Sequence, residues 1–253
     1  QTNKRAFYLC KDNLSRPQFL IEVKDSDSYP PPPTLRNLEV QYGVYCSIQT
    51  KQELVNKRWI RVICTSDSED VVSIFLNNLP TLITDINLPA DANEFSILFE
   101  KLTELFRLLS SRQVSNERGL WGELFIISEA SNKDLMVESW HNENMERYDF
   151  GLENSRLEVK TCSPVGKKHT FSLGQVYPNE SSNVVLTSVC LDEVPVGLSL
   201  RELWNRVRQG LGSEELKLKL DTNVAKYLGE DFSVHLDQVS FDEELARNEL
   251  RFF

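Results

Sequence analysis

Residues Tyr148–Thr161 read YDFGLENSRLEVKT, a stretch that predicts two short strands joined by a turn. Arg147–Phe150 and Arg156–Thr161 mix β-branched, aromatic and polar residues, as strands do. Between them, Gly151 and Asn154–Ser155 are residue types that favour turns. The stretch therefore predicts a β-hairpin.

Three polar side chains of this hairpin are expected to converge. Asp149 stands at the end of the first strand, and Glu158 and Lys160 lie two residues apart on the second. Because successive side chains of a strand alternate between its two faces, Glu158 and Lys160 point to the same side. The hairpin then brings one carboxylate from each strand together, with an ammonium beside them.

Two carboxylates and a lysine are the groups that metal-assisted phosphodiester hydrolysis requires. Carboxylate oxygens hold Mg²⁺, which polarises the scissile phosphate and lowers the pKa of a bound water. The ammonium of Lys160 can orient that water and stabilise the charge that develops on the phosphate. The simpler alternative is a surface ion pair between Glu158 and Lys160, which would contribute only about 0–1 kcal/mol to stability.

The hairpin resembles the active-site strands of the PD-(D/E)XK phosphodiesterases, a superfamily that includes many restriction endonucleases. Asp149 matches the first acid of its motif, and Glu158-Val159-Lys160 matches its E-x-K strand. The residue before Asp149 is Tyr148 rather than the proline of the motif's name, which many members also lack. The stretch from about Asn93 to Leu191 is similar to a bacterial family known only by this motif, whose members are often encoded beside DNA methyltransferases in restriction or phage-defence loci.

The resemblance implies an α/β fold with a restriction-endonuclease-like core, in which a central mixed sheet is flanked by helices. It also implies Mg²⁺ or Mn²⁺ as cofactor, with Asp149, Glu158 and Glu123 at the metal and Lys160 completing the catalytic set. Glu123 is included because members often carry an earlier acid on a helix, and the segment GLWGELFI provides one. Gln175 resembles a glutamine that some members carry near the active site.

Basic residues around the second strand of the hairpin are candidates for contacts with nucleic-acid phosphates. Arg156 begins that strand, and Lys167, Lys168 and His169 follow it in a loop. Their position just beyond the candidate catalytic strand favours contact with DNA. The alternative is an ordinary solvated loop.

Two other segments also match the acid-x-lysine pattern. Glu22-Val23-Lys24 lies in a predicted strand with Asp12 upstream, but too little chain precedes Asp12 to supply a helical acid. Glu215-Leu216-Lys217 falls in a predicted helix, where residues two apart do not share a face. Asp149, Glu158 and Lys160 therefore remain the favoured site.

The rest of the chain predicts a β-rich N-terminal domain at residues 1–90 and the nuclease-like α/β domain at residues 91–253. Further strands are predicted at Arg5–Cys10, Gln18–Lys24, Tyr42–Thr50, Trp59–Thr65, Leu135–Trp140, Asn183–Leu191, Phe232–Val239 and Leu250–Phe253. Helices are predicted at Asn93–Leu109, Ser115–Ala130, Ser172–Val176, Ser199–Leu211 and Ser213–Leu228, and Val71–Asn78 fits either type.

Composition narrows the class of protein. A net charge of −10 argues against a general nucleic-acid coating protein but not against a nuclease, whose metal site needs acids. The five cysteines form no C-x-x-C pair, so we expect free thiols in a bacterial cytoplasm rather than a zinc or disulfide framework. No apolar run reaches the roughly 18 residues of a membrane helix. The chain starts at Gln1 without a signal peptide, and we expect a fragment or a processed protein.

The sequence thus predicts a Mg²⁺-dependent DNA endonuclease of a bacterial restriction or phage-defence system. Because cutting a duplex requires two sites, we expect a homodimer, or a complex with a methyltransferase or another subunit of the same locus. Two alternatives stay open: a catalytically silent subunit that uses the nuclease fold to bind DNA or as a scaffold, and a nuclease that acts on RNA.

Overall fold

The computed structural model describes residues 7–22, 29, 31–49, 54–84, 92–113, 116–140, 147–152, 155–176 and 183–253. The chain divides into an N-terminal unit, Gln1–Ser111, and a C-terminal unit, Arg112–Phe253. This boundary differs from the one expected between residues 90 and 91, because the helix that follows residue 91 belongs to the N-terminal unit.

The N-terminal unit consists of one antiparallel sheet and two helices. In chain order its elements are β1 (Phe7–Lys11), β2 (Pro17–Glu22), β3 (Leu38–Gln49), β4 (Leu54–Cys64), α1 (Glu69–Thr84) and α2 (Ala92–Leu108). The strands lie in the order β1-β2-β4-β3. The rings of Phe19 on β2 and Phe75 on α1 meet edge to face at 5.4 Å, so α1 packs on one face of the sheet. The ambiguous segment Val71–Asn78 is therefore helical.

The C-terminal unit contains the predicted hairpin. Its elements are α3 (Glu117–Glu129), α4 (Lys133–Ser139), β5 (Phe150–Leu152), β6 (Ser155–Cys162), α5 (Leu173–Val176), β7 (Asn183–Cys190), β8 (Glu193–Ser199), α6 (Leu200–Gln209), α7 (Glu214–Leu228), α8 (Phe232–Gln238), β9 (Ser240–Phe241), α9 (Glu243–Asn248) and β10 (Arg251–Phe252).

A mixed sheet of order β10-β7-β6-β5 organises this unit. β5 runs antiparallel to β6, β6 runs parallel to β7, and β10 closes the other edge antiparallel to β7. The apolar strand predicted at Asn183–Leu191 is β7, which lies inside the sheet as expected. The described residues thus form a mixed α/β protein, in which each unit contains both strands and helices.

Helix α3 is buried along most of its length and lies directly against β6. Asn116 caps it by accepting a hydrogen bond from the Gly119 amide at 3.0 Å, and Ser115, the first residue of the predicted helix, lies outside the described residues. A Cβ atom added at Gly122 would lie only 2.6 Å from Cγ2 of Thr161. Glycine at this position therefore permits the close approach of α3 to the strand that carries Glu158 and Lys160.

Two segments predicted as strands are helices. Leu135–Trp140 lies largely in α4, where Asn132 accepts a hydrogen bond from the Leu135 amide and starts the helix. Phe232–Val239 lies largely in α8, and its two fully buried apolar residues, Phe232 and Leu236, are four apart as on one helix face. Both predictions were wrong because such short apolar patterns do not distinguish a strand from a helix.

No helix in the described part of the chain is long and apolar enough to cross a membrane.

Candidate active site

Asp149 lies immediately before β5 rather than at the end of a strand, which corrects the predicted strand at Arg147–Phe150. Since Phe150 pairs with Leu157, Asp149 comes opposite Glu158 on β6. Its Oδ2 accepts a hydrogen bond from the Val159 amide at 2.7 Å, which fixes the carboxyl against the neighbouring strand. Burial, followed by the charge of Glu158, raises the pKa of Asp149 to about 7.

Glu158 and Lys160 point to the same side of β6, as the two-residue spacing predicted. Glu158 Oε1 lies 2.6 Å from Lys160 Nζ, yet the Glu158 side chain is only 3% exposed and that of Lys160 is 28% exposed. Glu158 Oε2 is buried and has no hydrogen-bond partner in the described structure. The pair is therefore not an ordinary solvated surface ion pair. Glu158 contributes a buried oxygen without a described hydrogen-bond partner, and the Lys160 side chain is partly exposed.

Glu123 reaches the same region from α3. It is 6% exposed, and its Oε2 accepts a hydrogen bond from Trp140 Nε1 at 2.7 Å. Tyr227 Oη donates to the same carboxyl, at 2.9 Å from Oε1 and 3.0 Å from Oε2. Burial and the nearby charge of Asp149 raise the pKa of Glu123 to about 8, and the charge of Glu158 contributes in the same direction.

The family comparison agrees with this geometry. Residues 1–248 match a family model described as "Putative PD-(D/E)XK family member, (DUF4420)". The chain belongs to this PD-(D/E)XK family. The resemblance read from Asp149 and the Glu158-Val159-Lys160 strand is thereby confirmed, and it extends over nearly the whole chain. No curated protein and no solved structure gave a significant match.

The residues of this PD-(D/E)XK protein fit a hard divalent cation at the oxygen of Glu158 that lacks a partner. A buried carboxylate oxygen without a hydrogen-bond partner is costly unless an ion or water completes it. Within the described residues, however, no three His, Cys, Asp or Glu side chains are grouped to hold a metal. Two carboxylates suffice for Mg²⁺, which usually keeps several waters and binds through one or two protein acids. The donors that fit are Asp149 and Glu158.

Gln175 joins the cluster from α5, at the place that the resemblance implied. Its Nε2 donates to Glu158 Oε1 at 2.5 Å and to the carbonyl of Arg147 at 3.3 Å. Tyr148 donates from its hydroxyl to the carbonyls of Gly174 and Gln175, at 3.2 and 3.3 Å. Hydrogen bonds donated by Tyr148 and by Gln175 therefore hold α5 against the segment that carries Asp149.

The four basic candidates occupy different environments. Arg156 is half-buried on β6, and Lys168 is exposed in the loop after it. Lys167 forms an ion pair with Glu249 at 2.7 Å, so its charge is already partly neutralised. His169 Nε2 lies 2.7 Å from Ser188 Oγ, and burial together with the charge of Lys160 lowers the pKa of this histidine. The structure thus brings His169 near Lys160, and Lys167 and Lys168 are both exposed in the loop, with Lys167 paired to Glu249.

Among the described residues, the acids of the rival acid-x-lysine segments have other surroundings. Glu22 pairs with Lys57, and Asp12 pairs with Arg16 at 2.7 Å, while Val23 and Lys24 lie outside the described residues. Glu215 and Lys217 lie on α7, as predicted. Each of these acids therefore lacks the arrangement seen around Glu158.

Sequence reasoning identified neither Tyr227 nor Trp140 as part of the site. Trp140 is fully buried, as is Trp121, and Trp204 is nearly so. The indole N–H of Trp140 nevertheless bonds to Glu123, which the apolar pattern around it does not reveal. The only available signal was chemical, because a buried Tyr or Trp usually finds an acceptor for its polar group.

Proposed function

We propose that this protein is a metal-dependent DNA endonuclease in which Asp149 and Glu158 hold Mg²⁺ or Mn²⁺ beside Lys160. The observation that carries the proposal is that Glu158 Oε2 is buried without a hydrogen-bond partner in the described part of the chain, while Oε1 of the same residue is bonded to the Lys160 ammonium. A purely structural ion pair would have no need for a bare buried oxygen.

The mixed sheet supports a restriction-endonuclease-like core as the finer description of the fold. The antiparallel pair β5 and β6 presents Asp149, Glu158 and Lys160, and the parallel strand β7 follows after α5. α3 lies against β6 and contributes Glu123. This arrangement places all four proposed catalytic residues in one unit of the chain.

Each residue has a distinct part in hydrolysis. When bound, the metal ion would polarise the scissile phosphate and lower the pKa of the attacking water. Lys160 is held by Glu158 at 2.6 Å and also lies 5.8 Å from the centre of the Phe171 ring. So fixed, its ammonium can orient the water and stabilise charge on the phosphate oxygens. Glu123, which is buried and bonded to Trp140 and Tyr227, would hold a metal-bound water beside this pair.

DNA is the proposed substrate because the cationic groups near the site suit a phosphate backbone. Lys168, Arg156 and the exposed edge of Lys160 can face phosphates, while the chain as a whole carries a net charge of −10. Because the protein is acidic, we expect its binding to DNA to rest on few contacts with phosphate groups. We therefore propose that recognition is shared with a second copy or with another subunit, such as a methyltransferase of a defence locus in the bacterial cytoplasm.

Nicking of a supercoiled plasmid tests the proposal. We expect Mg²⁺-dependent nicking by the wild type and a loss of at least about 100-fold with Lys160→Ala. Lys217→Ala is the matched control, because Lys217 ends an acid-x-lysine match on helix α7. Equal nicking by the wild type and Lys160→Ala would refute the assignment. Parallel assays on single-stranded DNA and structured RNA rank the substrates.

A further inference from the structure

Three aromatic rings connect α7 to the segment that carries Asp149. The indole of Trp140 stacks on the ring of Phe150, with centroids 6.4 Å apart and planes 18° from parallel. The same indole also stacks on the ring of Tyr227, with centroids 6.4 Å apart and planes 17° from parallel. Phe150 is the residue after Asp149, so the stack reaches directly to the candidate site.

The polar edges of this stack converge on one carboxyl group. Trp140 donates to Glu123 Oε2, and Tyr227 donates to both oxygens of Glu123, at distances of 2.7 to 3.0 Å. Among the described residues no cation pairs with Glu123. In the part of the chain that the structure describes, these two neutral donors therefore provide the only direct stabilisation of a buried carboxyl group near Asp149 and Glu158.

A second buried tryptophan–carboxylate hydrogen bond, between α6 and α7, offers a comparison with the bond between Trp140 and Glu123. Trp204 Nε1 donates to Asp221 Oδ1 at 2.9 Å, and the Asp221 carboxylate also pairs with Arg208 at 3.3 Å. That carboxylate is neutralised by a cation. Among the described residues, Glu123 is held by two neutral donors and pairs with no cation, so these bonds fix the carboxyl group without an ion pair.

We propose that Tyr227 and Trp140 are positioning residues that hold the Glu123 carboxylate in place beside Asp149. This inference rests on the proposed nuclease function and extends it to residues outside the motif. Without the two donors, no described side chain holds the Glu123 carboxyl by a hydrogen bond, so the group can rotate away from the cluster. The three-ring stack keeps both donors in register, because neither ring can turn without breaking contact with the other.

The test is a double-mutant cycle with Tyr227→Phe and Glu123→Gln, measured by Mn²⁺ binding calorimetry and by plasmid nicking. Tyr227→Phe keeps the ring stack and removes only the hydroxyl. We expect it to weaken Mn²⁺ affinity and to lower kcat about 10-fold, with KM for the plasmid little changed. In the Glu123→Gln background the same substitution should have almost no further effect, because its influence passes through Glu123.

Two controls separate positioning from stability. Tyr45→Phe removes the hydroxyl of a tyrosine that is 69% exposed in the N-terminal unit, and Trp204→Phe removes the structural bond to Asp221. Both should leave Mn²⁺ affinity unchanged. Trp140→Phe provides a second variant if Tyr227→Phe does not fold.

Equal losses for Tyr227→Phe with and without Glu123→Gln would overturn the inference, as would unchanged Mn²⁺ affinity and kcat. Failure of the proposed function gives a different result, since the wild type would then neither bind Mn²⁺ at the cluster nor nick the plasmid. Normal wild-type nicking with an unaffected Tyr227→Phe variant would reject the positioning role alone.

Discussion

The two oxygens of Glu158 have different surroundings, and the proposed chemistry depends on this difference. Oε1 is bonded to Lys160 and Gln175, whereas Oε2 is buried and has no hydrogen-bond partner among the described residues. In the proposed mechanism the first set of bonds fixes the side chain, and Oε2 would be the oxygen that binds the metal ion. Glu158 would thus both hold the lysine and act as a metal ligand.

Glu158→Gln is predicted to remove nicking activity without unfolding the protein. The amide is nearly isosteric but cannot supply a negative ligand, so metal-dependent nicking should fall at least about 100-fold. Thermal unfolding should change little, or improve, because a buried charge is removed. Glu22→Gln, in the rival acid-x-lysine segment, is the control and should retain activity; parallel losses in both variants would contradict the assignment.

The raised pKa values of Asp149 and Glu123 predict how the stability of the metal-free protein depends on pH. Their folded-state pKa values, about 7 and about 8, lie above the ordinary values of 3.8 and 4.5. Between these limits the folded state binds more protons than the unfolded state, so the free energy of unfolding falls as pH rises through this window. Below about pH 4 the contribution is complete.

Urea denaturation at about pH 6 and about pH 8 measures this effect. The wild type should lose stability over that interval, by on the order of 1 kcal/mol or more, and Glu123→Gln should lose less. Added Mn²⁺ should reduce the loss, because it stabilises the ionised acids of the folded state. Identical pH profiles for the wild type and Glu123→Gln would show that Glu123 does not titrate in this way.

At the residue scale the sequence predicted that Asp149, Glu158 and Lys160 lie together, but not that Tyr227 and Trp140 hold Glu123. Asp149, Glu158 and Lys160 follow from strand alternation and turn chemistry, both of which are local. Tyr227 lies on α7, far along the chain from Glu123, and only tertiary packing brings the two together. No spacing rule connects residues so far apart.

At the scale of elements, the contact between α3 and β6 is the one that positions the site. Gly122→Ala is predicted to destabilise the protein by about 1–3 kcal/mol, since the added methyl would lie 2.6 Å from Thr161 Cγ2. Adding Thr161→Ser removes that methyl group of threonine and should recover most of the loss. Chemical denaturation of the single and double variants measures both effects; a fully stable Gly122→Ala protein would contradict the close packing.

The helices α4 and α8 show why some elements could not be predicted. Each is seven residues long, too short for a 3.6-residue period to be distinguished from strand alternation. The long α2 and the apolar β7 were predicted correctly because length and burial leave little ambiguity. The capping box at Ser199 and Glu202 likewise marks the start of α6.

At the scale of the whole molecule, the acidic charge limits how strongly the protein can hold DNA by phosphate contacts alone. Lys168→Ala is predicted to weaken DNA binding and to reduce the slope of log affinity against log salt by about one. Lys167→Ala is the matched comparison in the same loop, and it should reduce the slope less because Glu249 already pairs with Lys167. Fluorescence anisotropy over a salt series measures both; equal slopes for wild type and Lys168→Ala would exclude this contact.

The boundary between the two compact units also differs from the one predicted from the sequence. The predicted boundary lies between residues 90 and 91, but α2 belongs to the N-terminal unit and the two compact units divide after Ser111. Turn residues mark the ends of elements, whereas the extent of a compact unit depends on which faces pack together. An amphipathic helix such as α2 does not reveal its packing partner.

Anomalous diffraction from crystals soaked in Mn²⁺ tests the central claim most directly. The account predicts one strong peak in contact with a carboxylate oxygen of Asp149 and with Oε2 of Glu158, with Lys160 alongside, and the loss of that peak in Glu158→Gln. A well-ordered site with no peak between Asp149 and Glu158, or a peak unaffected by Glu158→Gln, would contradict it.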